Sequence, residues 1–237
     1  MSAGPDRARR APVRGVLVDL DGTLLDTAGD LAAAADAMLV ELGRNPLGES
    51  RVREFVGKGI AHLVHRCLEA TGPVPADESR ALAVFSAHYD RTNGAHARMY
   101  PGVRDGLAEF RAMRLAAACV TNKASRFTVP LLAATGLSGF FDAVITADLV
   151  GSRKPDPAIM LHACGTIGVQ PEEAVVIGDS DNDGEAARAA GCTFLLVPYG
   201  YREGLEVHAL ASDGIVDSIL HAADWIRSHR GAAGHAR

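Results

Sequence analysis

The chain has 237 residues, 48% of them apolar, enough for one large domain or a core carrying an inserted module. Its 24 Lys and Arg against 29 Asp and Glu leave a net charge of −5, which argues against nucleic acid or an anionic membrane as a partner. No apolar run is long enough to cross a bilayer, and Cys67, Cys119, Cys164 and Cys192 are too scattered for a zinc site or a disulfide scaffold, so a reducing, cytoplasmic setting is expected.

The first residues carry Arg7, Arg9, Arg10 and Arg14 with no apolar segment before a cleavage site, so a frayed terminus is expected rather than a secretion signal. Val16-Leu17-Val18 then runs into Asp19-Leu20-Asp21-Gly22-Thr23-Leu24. An unalternating apolar run suits a strand buried on both faces, and Gly22 supplies the turn that leaves it. On the two-residue repeat of a strand, Asp19 and Asp21 are expected to leave on the same side. Two carboxylates so close need a cation between them or a shared chemical task, which makes this stretch the candidate catalytic centre.

Asp26-Thr27 opens a segment of helical pattern running to about Arg98. Leu31, Ala34, Ala35, Met38 and Leu42 recur at helical spacing, with Gly43 as a stop. A second helix is expected near Ser50, interrupted by Gly57-Lys58-Gly59 and resuming through Leu63, Val64, Cys67 and Leu68; Glu78 to Arg91 reads as another. The segment offers no good strand candidate and reads as a helical module.

From Tyr100-Pro101-Gly102 onward the period changes. Helices are expected over Val103 to Met113, Ser125 to Ala134, Pro157 to Ile167, Asp183 to Ala190 and Ser218 to Ser228. They alternate with strands over Ala116 to Thr121, Ala143 to Thr146, Ala174 to Ile177 and Thr193 to Val197. Such alternation predicts an α/β fold, a doubly wound parallel (Rossmann-like) sheet, with an inserted α-helical domain. The expected layout is a core of 13–26 and 99–228, a helical insert of 27–98, and flexible termini at 1–12 and 229–237.

Ligands in such sheets collect at the carboxyl ends of the strands, where Asp19, Asp21, Thr121 and Gly178-Asp179 stand, with Lys154 beyond the third strand. Singly these residues say little: Thr121 before Asn122 serves equally as a helix cap, Lys154 as a surface lysine, Asp183 as a first-turn helix residue. Asp179 to Gly184 imitates the start of a calcium loop, yet Ala190 stands where the bidentate glutamate belongs. Gly57-Lys58-Gly59 lacks the ending of a P-loop.

Taken in order, Asp19-x-Asp21-Gly22-Thr23, Thr121, Lys154, and Gly178-Asp179-Ser180 with Asp183 resemble the haloacid dehalogenase-like hydrolase superfamily over roughly residues 13 to 228. Within it the chain is similar to the phosphoglycolate phosphatase group, through Asp19 to Thr27, Val52 to Gly59, Tyr100 to Val103 and Val197 to Tyr201. The resemblance implies that the insert is a cap. It implies that Asp19 attacks phosphorus, that Asp21 protonates the leaving group, and that Thr121, Asn122 and Lys154 bind the phosphoryl group. It also implies Mg2+, held by Asp19, the main-chain carbonyl of Asp21 and Asp179, with Asp183 further out. A small phosphate ester such as 2-phosphoglycolate is the expected partner, its carboxylate met by Gly57, Lys58 and Gly59, in a monomer or homodimer. Two other functions remain open: a β-phosphoglucomutase-like mutase or broad sugar-phosphate phosphatase, and a phosphorelay receiver, which lacks such an insert and carries its acceptor later in the chain.

Overall fold

The computed structural model describes residues 11–201 and 211–231. The arginines at 7, 9 and 10 and the tail beyond 231 lie outside the described residues. In chain order, β1 (Gly15–Val18) and β2 (Leu25–Asp26) precede four helices, α1 (Ala28–Glu41), α2 (Glu49–Arg53), α3 (Ile60–Thr71) and α4 (Ser79–Thr92). The chain returns through β3 (Arg98–Met99), α5 (Val103–Ala112), β4 (Ala116–Thr121), α6 (Ser125–Ala134), β5 (Ala143–Thr146), α7 (Ala147–Val150) and α8 (Ala158–Ile167). It ends with β6 (Ala174–Gly178), α9 (Asp181–Ala190), β7 (Thr193–Leu196), β8 (Gly214–Ile215) and α10 (Ile219–Gly231).

Six strands form one parallel sheet in the order β5-β4-β1-β6-β7-β8, so β1 is central and the winding reverses direction around it. All four residues of β1 are buried, as its unalternating apolar sequence requires. The two-residue repeat still sorts the side chains. Val16, Val18, Cys119, Val175, Ile177 and Leu195 join a cluster with Phe110 of α5 and Ile226 of α10. Leu17, Ala118, Val120, Val176, Phe194 and Leu196 face the opposite cluster, with Met160 of α8 and Ala187 of α9. Gly106 inside α5 permits a close approach to α10: a Cβ there would lie 2.4 Å from the carbonyl carbon of Ile219.

A third cluster belongs to the four helices, where Leu31, Met38, Val52, Phe55, Leu68, Phe85 and Tyr89 pack together. Asp30 of α1 is buried and accepts from the backbone N–H of Gly94 (2.8 Å) and His96 (2.6 Å), which fixes the segment returning to the sheet. β2 and β3 pair antiparallel where the chain leaves and re-enters, a ladder of two residue pairs that the helical reading of this segment did not foresee. Further differences are small: α7 and β8 are additional, α9 starts at Asp181, and α10 runs to Gly231, so residues 229–231 extend a helix.

Candidate active site

The carboxyl ends of β1, β4 and β6 meet at a cavity of about 40 Å3, which α1, α3 and the connection between α2 and α3 cover through Leu31, Val56, Gly57, Gly59 and Leu63. β1 stops at Val18, and the chain then folds back through Leu20, whose carbonyl accepts from the N–H of Leu24 (2.9 Å) and Leu25 (3.0 Å). Asp19 and Asp21 therefore stand just beyond the strand, with the Asp19 N–H still donating to the Ile177 carbonyl at 3.0 Å. Both line the cavity, yet each is paired with a different lysine.

Lys154 Nζ lies 2.6 Å from Asp19 Oδ1 and donates to Asp183 Oδ1 (2.7 Å) and to the Val120 carbonyl (3.1 Å). Its backbone is gripped by Asn122, whose Oδ1 accepts from Lys154 N–H (2.9 Å) and whose Nδ2 donates to the Lys154 carbonyl (3.1 Å). The same Nδ2 reaches the Gly57 carbonyl at 3.1 Å, so Asn122 ties the lysine loop to the α2–α3 connection. Thr121 Oγ1 accepts from the Lys123 N–H at 3.2 Å and lines the cavity.

Asp179 is held by neutral donors, Thr23 Oγ1 at 2.8 Å and the Tyr201 N–H at 2.5 Å. Gly22 (φ +90°) and Gly200 make room for it, since a Cβ on either would come within 2.3 Å of its side chain. Asp183 serves twice: its Oδ2 accepts from Ser180 N–H (3.2 Å) and Oγ (2.6 Å), capping α9, while Oδ1 faces Lys154.

Carboxylate oxygens of Asp19, Asp179 and Asp183 all lie within 4.8 Å of one another. Burial, joined by the neighbouring acids and opposed by Lys154, raises the Asp19 carboxyl from 3.8 to about 7. Burial, with Asp19 and Asp183 beside it, pushes Asp179 well above its ordinary range. Asp19 and Asp183 share the ammonium of Lys154 and Asp179 lies beside them without a cation of its own, and oxygen donors so arranged suit a hard divalent cation, so the donor set fits a metal. The Asp21 carboxylate is turned away from this cluster, toward Lys123 and Thr27.

The expected binding segment is divided. Gly57 and Gly59 line the cavity, whereas Lys58 lines an adjoining depression that shares Gly59, Ile60 and Asn122 with it. Four features escaped the sequence reading. Lys123 is buried beside Asp21, at 3.1 Å from Oδ1 and 3.3 Å from Oδ2, and meets the Tyr89 hydroxyl of α4. Thr27 Oγ1 donates to Asp21 Oδ1 at 2.7 Å. The Tyr201 hydroxyl donates to Asp26 Oδ1 (2.6 Å) and accepts from the N–H of Thr27 (2.7 Å) and Ala28 (3.0 Å), capping α1 from a distant segment. Arg53 of α2 pairs with Asp26 at 2.8 Å and lies over the Tyr201 ring. Lys123, two residues past Thr121 at a strand end, carried a usable signal; Tyr89, spaced four from Phe85, reads only as core.

A parallel sheet whose switch point carries an Asp-x-Asp loop, a buried lysine and an acid cluster defines a hydrolase of the haloacid dehalogenase-like type. Residues 16–197 match the family model described as haloacid dehalogenase-like hydrolase, and the chain belongs to that family. It is 46% identical over 215 residues to a phosphoglycolate phosphatase of Thiobacillus denitrificans, covering 90% of this chain and 95% of the relative. A phosphoglycolate phosphatase of Nitrosospira multiformis is also 46% identical, over 221 residues, 91% of this chain and 96% of the relative. Among solved structures, a predicted phosphoglycolate phosphatase from Haemophilus somnus has a TM-score of 0.86 at 27% identity, covering 91% of this chain and 98% of that one. CbbY from Rhodobacter sphaeroides, solved in complex with phosphate, has a TM-score of 0.74 at 25% identity, covering 88% and 95%. Among the described residues, no helix is long and apolar enough to cross a membrane.

Proposed function

We propose that the protein hydrolyses 2-phosphoglycolate to glycolate and phosphate, with Mg2+ as cofactor, in the cytoplasm. The observation that carries this is the convergence of Asp19, Asp21, Lys154 and Asp179 on one small cavity under a helical cover, with Asp183 beside Asp19 and Asp179. The names of its relatives support the same substrate. Steady-state kcat/KM over a panel of phosphate esters tests it: 2-phosphoglycolate is expected to lead, and a hexose phosphate leading instead would overturn the assignment. A mutase would release little free phosphate across that panel.

In this reading residues 27–98 act as a cap over the core of 13–26 and 99–228. Asp19 attacks phosphorus in line and becomes an aspartyl-phosphate. It can do so because Lys154, 2.6 Å away, favours its ionised form against the burial that opposes it. Asp21 gives a proton to the departing oxygen and then takes one from the water that attacks the acyl-phosphate. Thr121 donates to a phosphoryl oxygen, and Lys154 offsets the charge growing on the transferred group. Asp19, Asp179, the Asp21 carbonyl and, further out, Asp183 would hold Mg2+, which supplies positive charge against the phosphate oxygens. Asn122 acts on substrate indirectly, by fixing Lys154.

Mg2+ is expected to stabilise the fold in a pH-dependent way. Asp19 has a folded pKa of about 7 against 3.8 when exposed, so the metal-free native state binds more protons across that interval than the unfolded chain. Its stability therefore falls as pH rises from about 4 to about 7 on this account. A cation removes that penalty, so the gain in Tm on adding Mg2+ in place of a chelator should be larger at pH 8 than at pH 5.5. At a hundredfold excess over Kd the gain is about 2.7 kcal/mol, roughly 5–10 °C. Differential scanning calorimetry at the two pH values measures it, and an equal or reversed gain contradicts metal binding by these acids.

Lys58 acts, in this reading, from the mouth of the cavity, drawing in the substrate carboxylate whose final contacts are the N–H groups of the Gly57–Gly59 turn. Lys58→Ala should raise KM for 2-phosphoglycolate about threefold to tenfold and leave kcat within a factor of about two, the mark of a lost binding contact. An unchanged KM refutes the role.

A further inference from the structure

Lys123 is buried to 5% exposure, and its ammonium is shared between the sheet and the helices above it. On one side it meets both oxygens of Asp21. On the other it donates to the Tyr89 hydroxyl and sits 4.8 Å from the centre of that ring. Tyr89 belongs to α4 and is itself fixed by Phe127, at a ring separation of 4.7 Å, and Phe85, at 5.6 Å. Thr27 completes the arrangement by donating to Asp21 Oδ1. Two donors on Oδ1 and a longer contact on Oδ2 set the rotation of the carboxyl. Nothing in the catalytic roles assigned above needs a second lysine here or a tyrosine 34 residues before it.

We propose that Lys123, clamped by Tyr89, is a positioning residue that holds the Asp21 carboxyl for proton donation and so makes leaving-group departure depend on how α4 is seated. The inference rests on the phosphatase reading. In the step concerned, the bond from Asp19 oxygen to phosphorus forms and the bond from phosphorus to the leaving oxygen breaks. The electron pair of the broken bond stays on that oxygen, which takes the Asp21 proton. Lys123 keeps its own protons throughout. Its two contacts and its fixed place keep that carboxyl aimed at the cavity. Burial pushes the Tyr89 phenol up to about 12, so it remains a neutral hydroxyl.

Two substrates separate positioning from general damage. The alkoxide leaving from 2-phosphoglycolate needs a proton, whereas the acetate leaving from acetyl phosphate departs without one. The quantity to measure is kcat/KM, which reports only steps up to the first irreversible one. Tyr89→Phe, which keeps the ring between Phe85 and Phe127, should lower kcat/KM for 2-phosphoglycolate about tenfold, and Lys123→Met about a hundredfold. For acetyl phosphate both variants should stay within about twofold of the parent enzyme. Equal losses on both substrates, or no loss on either, would overturn the proposal. A melting curve on each variant confirms its fold, and either folded variant suffices for the comparison. A parent enzyme that hydrolyses acetyl phosphate but not 2-phosphoglycolate would instead overturn the substrate assignment, and the same comparison then runs with whichever alkyl phosphate it accepts.

Discussion

Asp19→Asn is expected to abolish turnover, lowering kcat by about 10,000-fold or more while the protein stays folded. The amide has almost the shape of the carboxylate but neither its charge nor its nucleophilicity, so no covalent phosphoryl intermediate forms. A loss of that size corresponds to about 5 kcal/mol of transition-state stabilisation. Stability should move the other way, or not at all. In the metal-free protein the Asp19 charge is costly, since burial and the neighbouring acids raise its carboxyl to about 7. Lys154 keeps Asp183 as a partner at 2.7 Å when the charge is gone. Single-turnover phosphate release and a chelator-treated melting curve measure the two effects. Phosphate release at the parent rate would remove the basis of the proposed chemistry.

The sheet was legible because its strands are short apolar runs separated by helices with clear periods. Ala116–Thr121 and Ala143–Thr146 fall where the sequence places them, and so does helix Ser125–Ala134. The pieces that escape are those held by distant partners. β3 is two residues long and exists because Arg98 and Met99 lie opposite Asp26 and Leu25, a pairing with no local period. β8 is equally short and leans on β7. The site divides along the same line. Asp19, Thr121 and Asp179 sit at strand ends or next to them, where topology alone brings them together, and Lys154 joins them from the loop after α7. Lys123 and Tyr89 are joined by packing between α4 and the sheet, and Tyr201 reaches Asp26 across 175 positions. Asp19 and Asp21 both line the cavity at the end of β1, as expected from their spacing, and the turn through Leu20 directs each acid to its own lysine.

Lys154→Met should be the most destabilising single change in the site, and its cost should depend on pH. The lysine is 3% exposed and bonds two acids directly, with Asp179 close enough to share a cation with both. Removing one partner of a buried ionic group leaves uncompensated charge, which costs about 3–5 kcal/mol. The acids can escape that cost only by binding protons. Asp19 and Asp179 already have raised folded pKa values, and loss of the ammonium raises that of Asp19 further. An acid with a raised folded pKa contributes a penalty that is complete above that pKa and disappears as pH falls below it. The variant should therefore be much weaker than the parent at pH 8 and approach it near pH 5, when compared by denaturant midpoint without metal. Mg2+ should recover part of the loss at pH 8, because a cation among the three carboxylates replaces the missing charge. It should not recover activity, since kcat/KM loses about a hundredfold to a thousandfold when a preorganised donor to the transferred group is removed. Arginine is no substitute: its planar fork is wider than an ammonium, and Asn122 fixes the main chain that would have to shift. If Lys154→Met matched the parent midpoint at pH 8, the acid cluster would not depend on this ammonium for its place in the core.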